Sequence, residues 1–267
     1  MTIERLLSPE EEELLAKQKE LSDLQEELSQ KELDCETLRA DILAFNAIYQ
    51  RAVGPKDSEI SELKARIARA LYVLNPIEEA RRQADAAEEA AREAADEQQR
   101  RDNAQSQDGT TPPDRFTPSE SLRDLYRNLV KQSHPDLGSD DDDRKMRNEF
   151  MARVNQAYQR GDEETLASLQ DEWETKDPNS KKNESIGDQL VRLIRQLSDT
   201  RNRIRNLDKD ISELEQSSAC QLMRQSDEAK EQGIDLISGI VTALEDEIAN
   251  LTQSIKDISS NLSDLRS

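Results

Sequence analysis

An all-α fold is predicted by three observations on this 267-residue sequence: 36% of its residues are charged against 34% hydrophobic, it holds only 7 glycines and 8 prolines, and its apolar residues recur at intervals of three and four. A typical globular domain is nearer half apolar and a quarter charged, so the composition favours long solvated helices with narrow apolar seams over a large core. Alternating runs of β-branched and aromatic residues, the mark of strands, are missing.

From the N-terminus, Leu14, Leu21, Leu28, Cys35, Ile42 and Tyr49 recur every seven residues, and Leu24, Leu38 and Phe45 follow three positions after Leu21, Cys35 and Ile42, which makes an a/d coiled-coil seam. Lys17 and Lys31 stand at d positions, where a polar residue costs stability but fixes register. Val53-Gly54-Pro55 reads as the end of that helix, because glycine frees the backbone and proline blocks helix continuation. A second seam, Ile60, Leu63, Ile67, Ala70 and Leu74, then predicts an antiparallel hairpin closed at Gly54-Pro55, with a parallel homodimer through the first seam as the alternative. Asn75-Pro76 restarts or kinks the helix. The pairs Glu78 to Arg82, Glu88 to Arg92 and Glu97 to Arg101 support a solvated helix beyond it.

The N-terminal coiled-coil hairpin is thus placed at 9–102, a linker at 103–118, a central module at 119–175, a second linker at 176–184 and a C-terminal coiled-coil hairpin at 185–265. In the last of these, Ile186, Leu190, Leu193, Leu197, Ile204, Leu207, Ile211 and Leu214 make one seam, and Ile237, Ile240, Leu244, Ile248, Leu251, Ile255, Ile258 and Leu262 another. The turn between them falls at Ser217-Ser218 or near Gly233. Arg192, Arg195, Arg201, Arg203 and Arg205 read as a solvated face paired with acids such as Glu245, Asp246 and Glu247.

The central module departs from the heptad style. In SLRDLYRNLVKQS, Leu122, Leu125, Tyr126 and Leu129 form an apolar face while Arg123, Arg127 and Lys131 form a basic one. His134-Pro135-Asp136 follows, carrying the only histidine of the chain. A second amphipathic helix then buries Phe150, Met151, Val154, Ala157 and Tyr158. Gly161 can end it, and Asp162 can cap a third helix carrying Leu166, Leu169 and Trp173 as a packing anchor. Proline after histidine removes a backbone donor and biases His134 out of the α region, so the three residues are expected to project from a stiff corner beside cationic side chains. A preordered corner loses little freedom when a partner docks.

LYRNLVKQSHPD followed by MARVNQAY resembles helices II and III of the J domain of DnaJ-like proteins. The resemblance implies a J-domain-like hairpin between two coiled-coil segments, acting as a co-chaperone of a DnaK-class heat-shock ATPase. Carried over by position, Arg123, Tyr126, Arg127 and Lys131 would form the docking face, and His134, Pro135 and Asp136 would trigger ATP hydrolysis. The sequence departs from the family in several places. TTPPDRFTP stands where a J domain has its first helix, so that core position must be filled by Phe116, by the coiled coil or by the segment after Gly161. Asn128 and Ser133 replace residues that are commonly basic and aromatic, and no Gly/Phe-rich or cysteine-rich zinc module is found. The coiled coils would then select a client or assembly. The alternative is a coiled-coil scaffold that retains the hairpin as a spacer.

Other classes fit poorly. A net charge of −21 argues against nucleic acid and anionic lipid as partners. No signal peptide or membrane-spanning run is found, which predicts a soluble, cytoplasmic protein without membrane insertion. Cys35 and Cys220 form no metal motif and read as buried small hydrophobes, an inter-chain disulfide being the alternative. The aspartates 140–143 lack the ligand spacing of a calcium loop and read as solvated helix-N-terminal charge. A Ser-His-Asp enzyme would need a nucleophile motif that is missing. No metal, cofactor or catalytic residue is expected.

Overall fold

The computed structural model describes residues 8–108, 116–138, 140–175 and 185–264, the side chains of 102, 104–108 and 261–264 excepted. Among the described residues the fold is all-α. The helices are α1 (Pro9–Leu74), α2 (Glu78–Asp108), α3 (Glu120–Ser133), α4 (Asp141–Gln159), α5 (Glu163–Thr175), α6 (Ile186–Gln216), α7 (Ser218–Glu231) and α8 (Leu236–Asp264), with a 3-10 turn at Pro135–Leu137 between α3 and α4. By contact the chain groups into two units, residues 1–42 with 116–220 and residues 43–115 with 221–267.

In the first unit a capping box opens α1. The Ser8 amide donates to Glu11 Oε2 (2.8 Å) and the Glu11 amide to Ser8 Oγ (3.2 Å), ahead of which Pro9 needs no donor of its own. The first seam of α1 packs on α6. Leu21 meets Leu193 and Leu197, while Leu28 and Cys35 meet Ile204 and Leu207. Both numberings rise together, so the two helices run parallel. Across this seam Lys31 Nζ pairs with Asp208 (2.5 Å), Arg39 with Asp210 (3.6 Å) and Arg201 with Glu20. From its d position Lys31 thus pairs with α6 rather than with a folded-back α1. From Leu14 to Cys35 the seam is occupied by α6.

The central module is a three-helix cluster in the same unit. Ser119 caps α3 by accepting from the Leu122 amide (3.0 Å), and Asp140 caps α4 by accepting from the Asp143 amide (2.8 Å), which puts Asp141, Asp142 and Asp143 in the first turn of α4. Gly161, at φ +69°, ends α4 in the left-handed region, and Asp162 then caps α5 through the Thr165 amide (2.9 Å). The core closes on Leu122, Leu129, Val154 and Leu166. The rings of Tyr126 and Tyr158 meet tilted at 4.5 Å, and those of Phe150 and Trp173 tilted at 4.7 Å. All three candidate covers pack against α3 and α4. Phe116 is buried edge-on against Tyr158 at 5.4 Å, α5 covers α3 and α4, and Thr37 of α1 hydrogen-bonds Tyr158 Oη at 2.8 Å.

In the second unit α1 and α2 form an antiparallel hairpin that turns at Asn75–Ile77, with Arg69 beside Glu88 (3.6 Å) and Gly54 beside Gln98. The turn predicted at Gly54-Pro55 is absent, and α1 runs through both residues. Proline in a helix interior costs about 3 kcal/mol, and the buried side chains Val53, Ile60 and Leu63 that flank it oppose that cost. A Cβ at Gly54 would lie 2.8 Å from Gln98 Oε1, the end of a flexible side chain that can move aside.

Helix α2 continues to Asp108, so the segment from Asn103 is helical where a linker was expected. Residues 109–115 of that linker, and the second linker at 176–184, lie outside the described residues. Both candidate C-terminal breaks occur: Ser217 caps the end of α6 and the start of α7, and Gly233, at φ +77°, separates α7 from α8. The arginine stripe of α6 pairs with α1, through Arg201 to Glu20 and Arg203 to Glu32. Glu245 and Glu247 instead pair with Lys56 (3.0 Å) and Lys64 (2.9 Å). Cys35 and Cys220 are free and buried, and burial pushes the Cys35 thiol up to about 11. Among the described residues no helix is long and apolar enough to cross a membrane.

Candidate functional site: the His-Pro-Asp corner

Helix α3 ends where Pro135 withholds a donor. The His134 amide still closes onto Val130 O (3.0 Å), its backbone then turns extended, and Pro135–Leu137 wind into one 3-10 turn held by Leu137 N to His134 O (3.0 Å) and Gly138 N to Pro135 O (2.9 Å). Inside this turn His134 Nδ1 accepts from the Asp136 amide at 3.2 Å, which puts the proton of a neutral ring on Nε2. The corner is thus a hydrogen-bonded 3-10 turn. Arg147 of α4 braces it. This buried guanidinium donates to Gln132 O (3.0 Å), one of the orphan carbonyls at the end of α3, pairs with Asp143 (2.9 Å) and stacks 5.0 Å from the Trp173 ring.

The corner is not displayed, contrary to the expectation from sequence. His134 is 5% exposed, and its Nε2 faces Glu32 Oε1 of α1 at 3.4 Å. The same oxygen receives Arg203 of α6 through Nε (2.8 Å) and Nη2 (2.7 Å). Burial alone would raise the Glu32 carboxyl, but the His134 hydrogen bond and the Arg203 charge outweigh it and hold Glu32 below its ordinary value. Burial pushes the Asp136 carboxyl up instead, with the neighbouring histidine only partly opposing it. Asp136 Oδ2 lies 3.5 Å from His134 Nδ1, but that nitrogen already accepts from the Asp136 amide, so the carboxylate oxygen is buried without a hydrogen bond. The turn packs on α4 and α6, beside a cleft of about 620 Å³ whose lining includes Glu32, His134, Pro135, Asp136, Arg144 and Arg203.

The residues expected on the docking face separate. Arg123 is exposed, as predicted. Arg127 is half-buried and donates to Gln30 of α1 (3.3 Å) and to Asp124, while Lys131 pairs with Glu26 of α1. Tyr126 is corrected outright. It is 0% exposed and donates to Asn155 Oδ1 (3.0 Å), because it falls four residues after Leu122 and three before Leu129 on the buried stripe of α3.

Sequence reasoning missed Glu32, Glu36, Arg147 and Arg203. Glu36 is 1% exposed and takes the Gln159 amide (2.7 Å) and Arg39 (2.6 Å). Glu32 and Glu36 lie four apart, so they share one face of α1, flanking the seam. In a solitary coiled coil that face is solvated, and only a third body packing there could bury it. Among the described residues no cluster suited to a metal ion is found. No protein-family model, curated protein or solved structure matches the chain.

Proposed function

We propose that the chain is a J-domain co-chaperone that recruits a DnaK-class ATPase to a client bound through its coiled coils. The observation that carries this reading is the helix, 3-10 turn, helix unit around His134-Pro135-Asp136, with exposed Arg123 on the helix before it and the MARVNQAY segment packed back against that helix. A stiff turn beside cations suits docking without loss of freedom. In this closed arrangement the histidine is covered, so the reading requires the hairpin to part from α1 and α6 before the chaperone docks. The test is single-turnover ATP hydrolysis by the DnaK-class chaperone of the same organism. The intact protein raises the rate, and His134→Gln removes the rise. A rate unchanged under conditions that release the corner counts against the proposal.

A second reading is favoured by the burial of His134 against Glu32. On this reading the corner is a structural joint between hairpin and coiled coil, and the protein is a scaffold. His134→Gln then leaves cellular function intact, while Leu21→Pro or Leu197→Pro, which break the α1–α6 seam, abolish it.

A further inference from the structure

Arg127 and Lys131 of the basic face, and the His134 corner, are already engaged within the first unit, while Arg123 stays exposed. Within about two turns of α1 three side chains meet the module: Glu26 takes Lys131, Gln30 takes Arg127, and Glu32 takes His134. Farther along, Glu36 takes Gln159 and Thr37 takes Tyr158. Arg203 of α6 completes the set by bonding the same Glu32 oxygen that faces the imidazole. An acidic helix here occupies the basic face of α3 in the manner of an acidic protein partner.

Resting on the co-chaperone reading, we propose that α1 and α6 form an autoinhibitory clamp on the His-Pro-Asp corner, which must open before a DnaK-class chaperone can dock. The side-chain bonds that join α1 to this face are polar. Lys131, Arg127 and His134 meet α1 through charge and hydrogen bonds, whereas the apolar seam between α1 and α6 is built from other residues, namely Leu21, Leu28, Cys35, Leu197 and Leu207. Such a contact can be broken by charge while the coiled coil persists. A client that binds and shifts α1 would release the hairpin, so that ATPase recruitment follows client capture.

The design of the chain offers a clean readout, because His134 is its only histidine. Carbethoxylation of the imidazole by diethylpyrocarbonate reports whether the ring is covered. The variant Glu26→Lys with Gln30→Lys alters two exposed positions of α1 and sets them against Lys131 and Arg127. Glu32→Gln, which keeps an oxygen acceptor for Arg203, serves as a second variant should the first misfold.

Intact protein is expected to react slowly, and either variant about tenfold faster, as local opening predicts; each variant should also stimulate the chaperone's ATPase more than the intact protein does. Equal carbethoxylation rates for the intact protein and both variants overturn the clamp. So does stimulation by the intact protein that matches the variants, and in that case the co-chaperone reading stands. No stimulation by a variant whose histidine reacts freely overturns the co-chaperone reading, and the clamp as an inhibitory device falls with it.

Discussion

The imidazole Nε2 of His134 lies 3.4 Å from Oε1 of Glu32, a carboxylate 102 residues away in sequence. One short motif and one coiled-coil position are thereby tied into a single polar joint, with Arg203 as its third member. The consequences concern both how the joint is held and how the motif is used.

Glu32 links the joint to pH. Its carboxyl is held below the ordinary value of 4.5, so the stability it contributes is fully present above that value and is lost as pH falls through the lowered one. Glu32→Gln should cost about 2 kcal/mol at pH 7, below the range for a fully buried pair because the Arg203 side chain is 38% exposed. The variant should also show a shallower loss of stability in acid. Urea unfolding at neutral and acid pH measures both, and identical pH profiles for variant and parent would remove Glu32 from the account.

Asp136 acts with the opposite sign. Its carboxyl is raised above the ordinary 3.8, so its charged form costs stability above that value and the cost is relieved as pH falls through the raised value. Asp136→Asn should therefore stabilise the protein at neutral pH by about 1 kcal/mol, by removing a buried carboxylate oxygen without a hydrogen bond. The same change should abolish chaperone stimulation. A gain of stability with loss of activity marks a functional residue; a lower unfolding midpoint in urea at pH 7 is the contrary result.

Arg147 holds three elements at once, so Arg147→Ala should cost about 3 kcal/mol. Arg147→Lys should restore little, since a point charge cannot stack on Trp173 while bonding Gln132 O and Asp143. Trp173 is the only tryptophan, so its emission reports the change directly. Full recovery with lysine would show that charge alone suffices.

Tyr126 and Arg123 separate core from docking face. Tyr126→Phe should cost about 1 kcal/mol for the lost bond to Asn155 and leave chaperone stimulation intact, while Tyr126→Ala costs about 4 kcal/mol. Arg123→Ala should leave the thermal midpoint unchanged and weaken stimulation, most visibly at low salt. The reverse pattern would restore Tyr126 to the docking face.

Much of the fold is legible in the sequence because leucine spacing reports seams directly. The register of Leu14 through Cys35, the capping of α5 by Asp162 and the role of Trp173 all follow from local rules. The partner of a seam does not. A heptad states that an apolar stripe needs a cover, and α6 supplies it where a folded-back α1 was the nearer candidate in sequence. Gly54-Pro55 misleads for the same reason, since long-range burial overrides a local helix-breaking signal. At the site, the turn at His-Pro-Asp is legible from Pro135 alone. Its burial is not, because Glu32 and Glu36 carry the composition of a solvated face and only a third body turns them inward.

The most direct measurement is single-turnover ATP hydrolysis by a DnaK-class chaperone from the same organism, in the presence of the intact chain carrying Glu26→Lys and Gln30→Lys, with and without His134→Gln. The account predicts a severalfold rise with the released histidine and none once it is replaced. A released chain that leaves hydrolysis at the rate of the chaperone alone, or one that stimulates equally well without His134, would contradict it.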